Sequence, residues 1–238
     1  MKKTLTLHRG IAVPQEEAAR VAASIEKNGM SGSEGTWSFS IPDIVDIRTR
    51  LEELFSKANL TKDDVFSVTP FRGLCACGSP SGAAYYAFRH NFSSNRNNHA
   101  IAIEFTAEMD DVYIDPRDFL CTAFQFWDRS SERYRDLQMD ILCRLFGPAI
   151  KRYFAAVCRS KDQKYRIGMC NLASFDREVV LGHMSNDRVI AGRHGTRFCS
   201  AFFVKAPVDS LRVNRVYTPT LAEGPAGTIS LEDFLKGT

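Results

Sequence analysis

The first residues alternate between apolar and polar side chains, Thr4-Leu5-Thr6-Leu7-His8-Arg9-Gly10-Ile11, and this period of two predicts a strand. Pro14-Gln15-Glu16-Glu17 then reads as a helix start, with proline in the first turn and acids at the positive end of the dipole. Ala18, Val21, Ala22 and Ile25 form one apolar face, and Asn28-Gly29 is the natural stop. Residues 30–40 are rich in Gly and Ser and read as a loop bearing Trp37 and Phe39; Pro42-Asp43 opens a second helix through Ile44, Ile47, Leu51, Leu54 and Phe55.

Val65 to Val68 and Gly73 to Cys77 read as strands, Gly78-Ser79-Pro80-Ser81 as a turn, and Gly82 to His90 as a helix. A polar loop, Asn91 to Asn98, precedes the apolar strand His99 to Phe105 and the short strand Val112 to Ile114. The strongest helical period lies at 129–159. There Tyr134, Leu137, Ile141, Leu142 and Leu145 share a stripe that breaks at Gly147-Pro148 and resumes with Ile150, Tyr153, Phe154 and Val157. Strands are predicted again at Tyr165 to Cys170, Glu178 to Leu181, Arg188 to Ala191 and Arg197 to Val204. The tail, Pro219 to Gly227, reads as loose chain before a short segment from Ser230 to Leu235. Without regular βαβ alternation the pattern favours α+β over a doubly wound sheet. The chain holds neither a GxGxxG nor a P-loop.

Composition narrows this picture only modestly. The 238 residues are 44% hydrophobic and 25% charged, which suits one globular domain with a sizeable core. A net charge of +3 is compatible with an anionic partner without requiring one. Seven cysteines, an odd number set mostly in apolar segments, read as reduced thiols of a cytoplasmic protein. Cys75-Ala76-Cys77 has no second pair at ligand spacing, so no metal is expected. The same two cysteines have no base beside them in sequence and read as core residues. Lys2-Lys3 precedes only four residues of alternating apolar chain, too few for a signal peptide. No apolar run approaches the ~18–20 residues of a membrane span.

Three segments carry the candidate chemistry: Leu7-His8-Arg9-Gly10; the stretch from Gly73 through Ser79-Pro80-Ser81 to Ala83-Ala84-Tyr85-Tyr86-Ala87-Phe88; and Phe175-Asp176-Arg177-Glu178-Val179-Val180-Leu181. In order and rough spacing, across about residues 4 to 204, they resemble the ADP-ribosyltransferase superfamily, in its branch with an Arg, a Ser-rich strand end and a late Glu. The resemblance implies a split β-sandwich over residues 1–238, with N-terminal helices and an inserted helical pair at about 129–159. It implies NAD as co-substrate. Arg9 would hold the diphosphate, Gly10 would leave the backbone open to the nicotinamide amide, and Ser79 or Ser81 would support the ribose. Tyr85, Phe39 or Trp37 would cover the nicotinamide ring, and Glu178 would stabilise the oxocarbenium-like transition state.

The chain departs from the family pattern in two places. Cys77-Gly78-Ser79 stands where Ser-Thr-Ser is usual, and Asp176 stands where an acceptor-contacting Glu or Gln is usual. Read from the residues alone, Glu178 is a solvent-facing charge on an alternating strand. Glu104, inside an apolar run, is the competing acid or a paired core carboxylate. His8 is expected to face the other side of its strand from Arg9. The basic residues Arg129, Arg133, Arg135, Arg144, Lys151, Arg152, Arg159 and Lys161 form either a solvated helix surface or a platform for a macromolecular acceptor, nucleic acid slightly ahead of protein. The expected function is ADP-ribose transfer by a toxin, effector or phage-defence enzyme. The alternatives are a non-catalytic nucleic-acid-binding module and an NAD glycohydrolase on the same fold.

Overall fold

The structure, a computed structural model, describes residues 3–32, 39–43, 69–90, 98–115, 132–159, 163–184, 189–191, 197–198, 200–220 and 228–236. The first strand, β1 (Thr4–Pro14), is buried without interruption from Leu7 to Val13, as a strand must be when both of its faces are covered. A 3-10 turn (Gln15–Glu17) leads into α1 (Ala18–Asn28), which stops at Gly29 in a left-handed conformation, φ 77°. A side chain at Gly29 would also meet the Val208 carbonyl, so the helix stop and a contact with a distant segment depend on the same glycine.

The remaining strands of the main sheet are β2 (Phe39–Asp43), β3 (Thr69–Cys77), β4 (Asn98–Glu108), β5 (Val112–Ile114), β8 (Ala201–Lys205) and β9 (Val213–Tyr217). Their order is β5-β8-β3-β1-β4-β9, with β2 also on β3, and all pairs are antiparallel. A second, three-stranded sheet joins β6 (Val189–Ala191), β7 (Arg197–Phe198) and β10 (Thr228–Ser230), with β10 parallel to β6. The architecture is α+β, as the pattern of elements predicts.

Opposite faces of the main sheet differ in side-chain size. One carries Leu7, Ile11 and Val13 of β1 and Ile101, Ile103 and Phe105 of β4, all buried in the main core. The other carries Gly10 opposite Ala102 and Ala12 opposite Ala100. Those small residues admit α2 (Pro80–Tyr85) and the π-turn that extends it (Tyr86–His90). A Cβ on Gly10 would lie 1.8 Å from the Ala83 carbonyl oxygen.

The helical region is larger than the expected pair. Helices α3 (Glu132–Phe146) and α4 (Ile150–Arg159) flank Gly147, φ 78°, where the sequence stripe breaks. They are followed by α5 (Gln163–Phe175) and α6 (Arg177–His183), where strands were expected at Tyr165–Cys170 and Glu178–Leu181. The physical reason is periodicity. Met169, Leu172 and Ala173 are buried at helical spacing, and so are Val179, Val180 and His183, while Arg177, Glu178 and Leu181 face solvent. A strand would have placed Glu178 and Val180 on one face.

A second correction concerns Phe39–Asp43, which pairs with β3 from Phe39↔Gly73 to Asp43↔Thr69 instead of ending a loop and opening a helix. The expected helix beyond Asp43, the strand Val65–Val68 and the loop 91–97 lie outside the described residues. The final segment is α7 (Leu231–Lys236). Among the described residues no helix is long and apolar enough to cross a membrane.

Candidate functional site

His8 and Arg9 leave the central strand on opposite faces, and both are buried. Arg9 lies on the side of Leu7 and Ile11, and its Nη1 donates to the Cys75 carbonyl of β3 at 2.8 Å. Two residues past Cys75, β3 comes level with His8 and ends. The chain turns at Gly78-Ser79 into α2, whose first turn Ser79 caps by accepting from the Gly82 N–H at 3.2 Å. The Ser79 and Ser81 hydroxyls are 3.0 Å apart. Arg9 and the two serines therefore belong to adjacent central strands and the turn at the end of one.

The other expected site residues are placed differently. Gly10 is covered by α2, so its missing side chain serves helix packing, and the space expected for a nicotinamide amide holds Ala83. Tyr85 meets Tyr86 edge-on, with centroids 5.5 Å apart, and both pack on Ala201. Glu178 is exposed in the first turn of α6 instead of lying on a strand. Asp176, expected to contact an acceptor, is buried and engaged. It accepts from the Tyr153 hydroxyl at 2.6 Å and the Glu178 N–H at 2.8 Å, and it pairs with Arg152. Trp37 lies outside the described residues, as does the side chain of Phe39.

Some of the basic residues are engaged within the chain. Arg152 pairs with Asp176, and Arg144 sits 4.6 Å above the Phe234 ring of α7. Arg135, Lys151 and Arg159 are exposed, while Arg129, Lys161 and the side chain of Arg133 lie outside the described residues. His183 is a core link: Nδ1 donates to the Leu145 carbonyl at 2.8 Å, and Nε2 accepts from the Ala201 N–H at 3.2 Å. Those two bonds fix the tautomer. Its ring also packs against Phe146 and Phe202.

The register reveals a row that sequence spacing does not show. Ala201, Cys77, His8, Glu104 and Arg215 are successive cross-strand partners over β8, β3, β1, β4 and β9, so their side chains share one face. Glu104 is paired, as its apolar flanks suggested, with Arg215 at 3.7 Å. Burial lowers the His8 pKa, Glu104 opposes that effect, and Arg215 adds to it. The signal available in sequence was the matched alternation of two strands, which names partners only once their register is known.

The His8 shift has a sign that stability measurements can read. The unfolded chain takes up the proton first, near the ordinary histidine value of about 6.5. Stability is therefore full above that pH and falls as the pH drops below it toward the lower folded value. Urea midpoints of the wild type measured from pH 8 to pH 5 should fall more steeply than those of His8→Asn. If the wild type instead gains stability over the variant on acidification, attraction to Glu104 outweighs burial.

Comparison with protein-family models, with curated proteins and with solved structures finds no match to this chain.

Proposed function

We propose that the chain binds NAD, releases nicotinamide and transfers ADP-ribose to a macromolecule. The observations behind this reading are a buried arginine on the central strand and, where the neighbouring strand ends, a pair of serine hydroxyls in contact with each other. Arg9 is oriented by the Cys75 carbonyl, and the Ser79 and Ser81 hydroxyls stand together at the start of α2. A planar guanidinium suits a diphosphate, and adjacent hydroxyls suit the hydroxyls of a ribose. In this reading Glu178 supplies the carboxylate for the oxocarbenium-like state, reaching the ligand from the first turn of α6. The engagement of Arg144 and Arg152 within the chain counts against the alternative of a dedicated nucleic-acid-binding surface.

The deciding measurement is nicotinamide release from NAD, with and without cell lysate or nucleic acid. Release that needs a macromolecule is the expected result. Release without one would make the protein an NAD glycohydrolase, and no release together with no NAD-induced thermal shift would overturn the reading. Arg9→Lys should shrink the thermal shift produced by NAD, measured against the variant's own ligand-free midpoint. Glu178→Gln should keep that shift and lower release by ~10²-fold, the scale of one preorganised electrostatic contact. Equal release in Glu178→Gln and wild type removes Glu178 from the assignment.

A further inference from the structure

The polar row on the α2 side of the sheet contains three side chains in the order of an activated nucleophile: a thiol, an imidazole and a carboxylate. Cys77 stands directly across from His8, and His8 directly across from Glu104. Side chains at directly opposed positions of antiparallel strands have Cβ atoms roughly 4.5–5.5 Å apart. His8 is only 6% exposed, yet its Nδ1 has no hydrogen-bond partner among the described residues. A buried polar atom without a partner costs stability, so it is uncommon where the group serves packing alone. Glu104 on the far side of the ring is held by Arg215. On the near side, Cys77 is itself buried and is followed at once by the half-buried turn Gly78-Ser79.

We propose that Cys77, His8 and Glu104 form a nucleophilic site in which the thiolate of Cys77 bonds covalently to a small electrophile of the acyl- or alkyl-donor class. The thiol proton passes from Sγ to His8 Nδ1, leaving a thiolate beside an imidazolium that the Glu104 carboxylate stabilises. With an alkyl donor, the S–C bond forms as the bond to the leaving group breaks, and the leaving group departs with the electron pair. With an acyl donor, the thiolate adds to the carbonyl carbon. His8 then returns its proton to the departing thiol or alcohol as the tetrahedral adduct collapses to an acyl-cysteine.

Burial pushes Cys170 up to about 12, and it raises Cys143 and Cys158 as well. The site lies on the opposite face of β1 from Arg9 and does not rest on the NAD reading.

Iodoacetamide is the probe. The intact protein is labelled between pH 5.5 and 9, and carbamidomethylation is assigned by peptide fragmentation, which separates Cys77 from Cys75. Near pH 7, Cys77 should label roughly tenfold or more faster than the exposed Cys158, because His8 takes up the thiol proton as the sulfur attacks. His8→Asn should lose that advantage, and Glu104→Gln should move the pH midpoint of Cys77 labelling upward. Labelling of Cys77 only after denaturation overturns the proposal, as does an unchanged rate in a folded His8→Asn. Should His8→Asn fail to fold, the Glu104→Gln profile decides, and a midpoint identical to wild type overturns it.

Discussion

Replacing Gly10 with alanine is expected to destabilise the protein by about 3 kcal/mol or more, at or beyond the upper end of ordinary overpacking. The added carbon would lie 1.8 Å from the Ala83 carbonyl oxygen, 2.7 Å from its carbon and 2.9 Å from the Ala87 nitrogen. All three are backbone atoms, so no side chain can swing aside and the helix itself must lift from the sheet. For a chain of this size, ~1 kcal/mol corresponds to about 2–4 °C in Tm, so a fall on the order of 10 °C should appear in a thermal scan. A Gly10→Ala variant within 0.5 kcal/mol of wild type, on the order of a neutral surface change, would mean that α2 does not rest on β1 as described.

The second large effect belongs to Asp176. Its carboxylate joins α4 to the start of α6 through Tyr153, Arg152 and the Glu178 N–H. Asp176→Ala removes a helix cap, worth about 1 kcal/mol. It also removes the acceptor of a buried hydroxyl, where a hydrogen bond to a charged group contributes about 1.5–3 kcal/mol. Arg152 is 46% exposed at its side chain, so its ion pair adds little. The expected loss is about 2–4 kcal/mol by urea denaturation. Asp176→Asn keeps one oxygen for the cap but presents an amide NH2 where Tyr153 now donates, and should lose about half as much. If the alanine and asparagine variants are equally stable, the capping account fails and the charge on Asp176 carries the effect. Because Asp176 holds the first turn of α6, both variants should also disturb Glu178, which gives a way to separate position from chemistry in any activity that depends on it.

The sequence alone was sufficient where one element's own period decides its structure. Strand β1, helix α1 with its stop at Gly29, strand β4 and the helical break at Gly147 all follow from local patterns. Local pattern failed where short apolar runs fit either period. Tyr165–Cys170 and Glu178–Leu181 became helices because burial at positions three and four apart, against α3 and α4, outweighs the β preference of Val179 and Val180. Phe39–Asp43 became a strand because β3 offers it a partner thirty residues downstream, a contact that no window of sequence displays.

The candidate site divides along the same line. His8, Arg9, Ser79, Ser81 and Glu104 were each legible as polar residues in structured segments, and the opposite-face placement of His8 and Arg9 followed from alternation. The tertiary structure alone decided their company. Antiparallel register sets Cys77 and Glu104 on either side of His8, α2 fills the space above Gly10, and Asp176 becomes a buried cap. Side-chain character and period are properties of neighbouring residues in the chain. Which side chains meet depends on strand register and helix packing, and those are set by contacts between residues dozens to hundreds of positions apart.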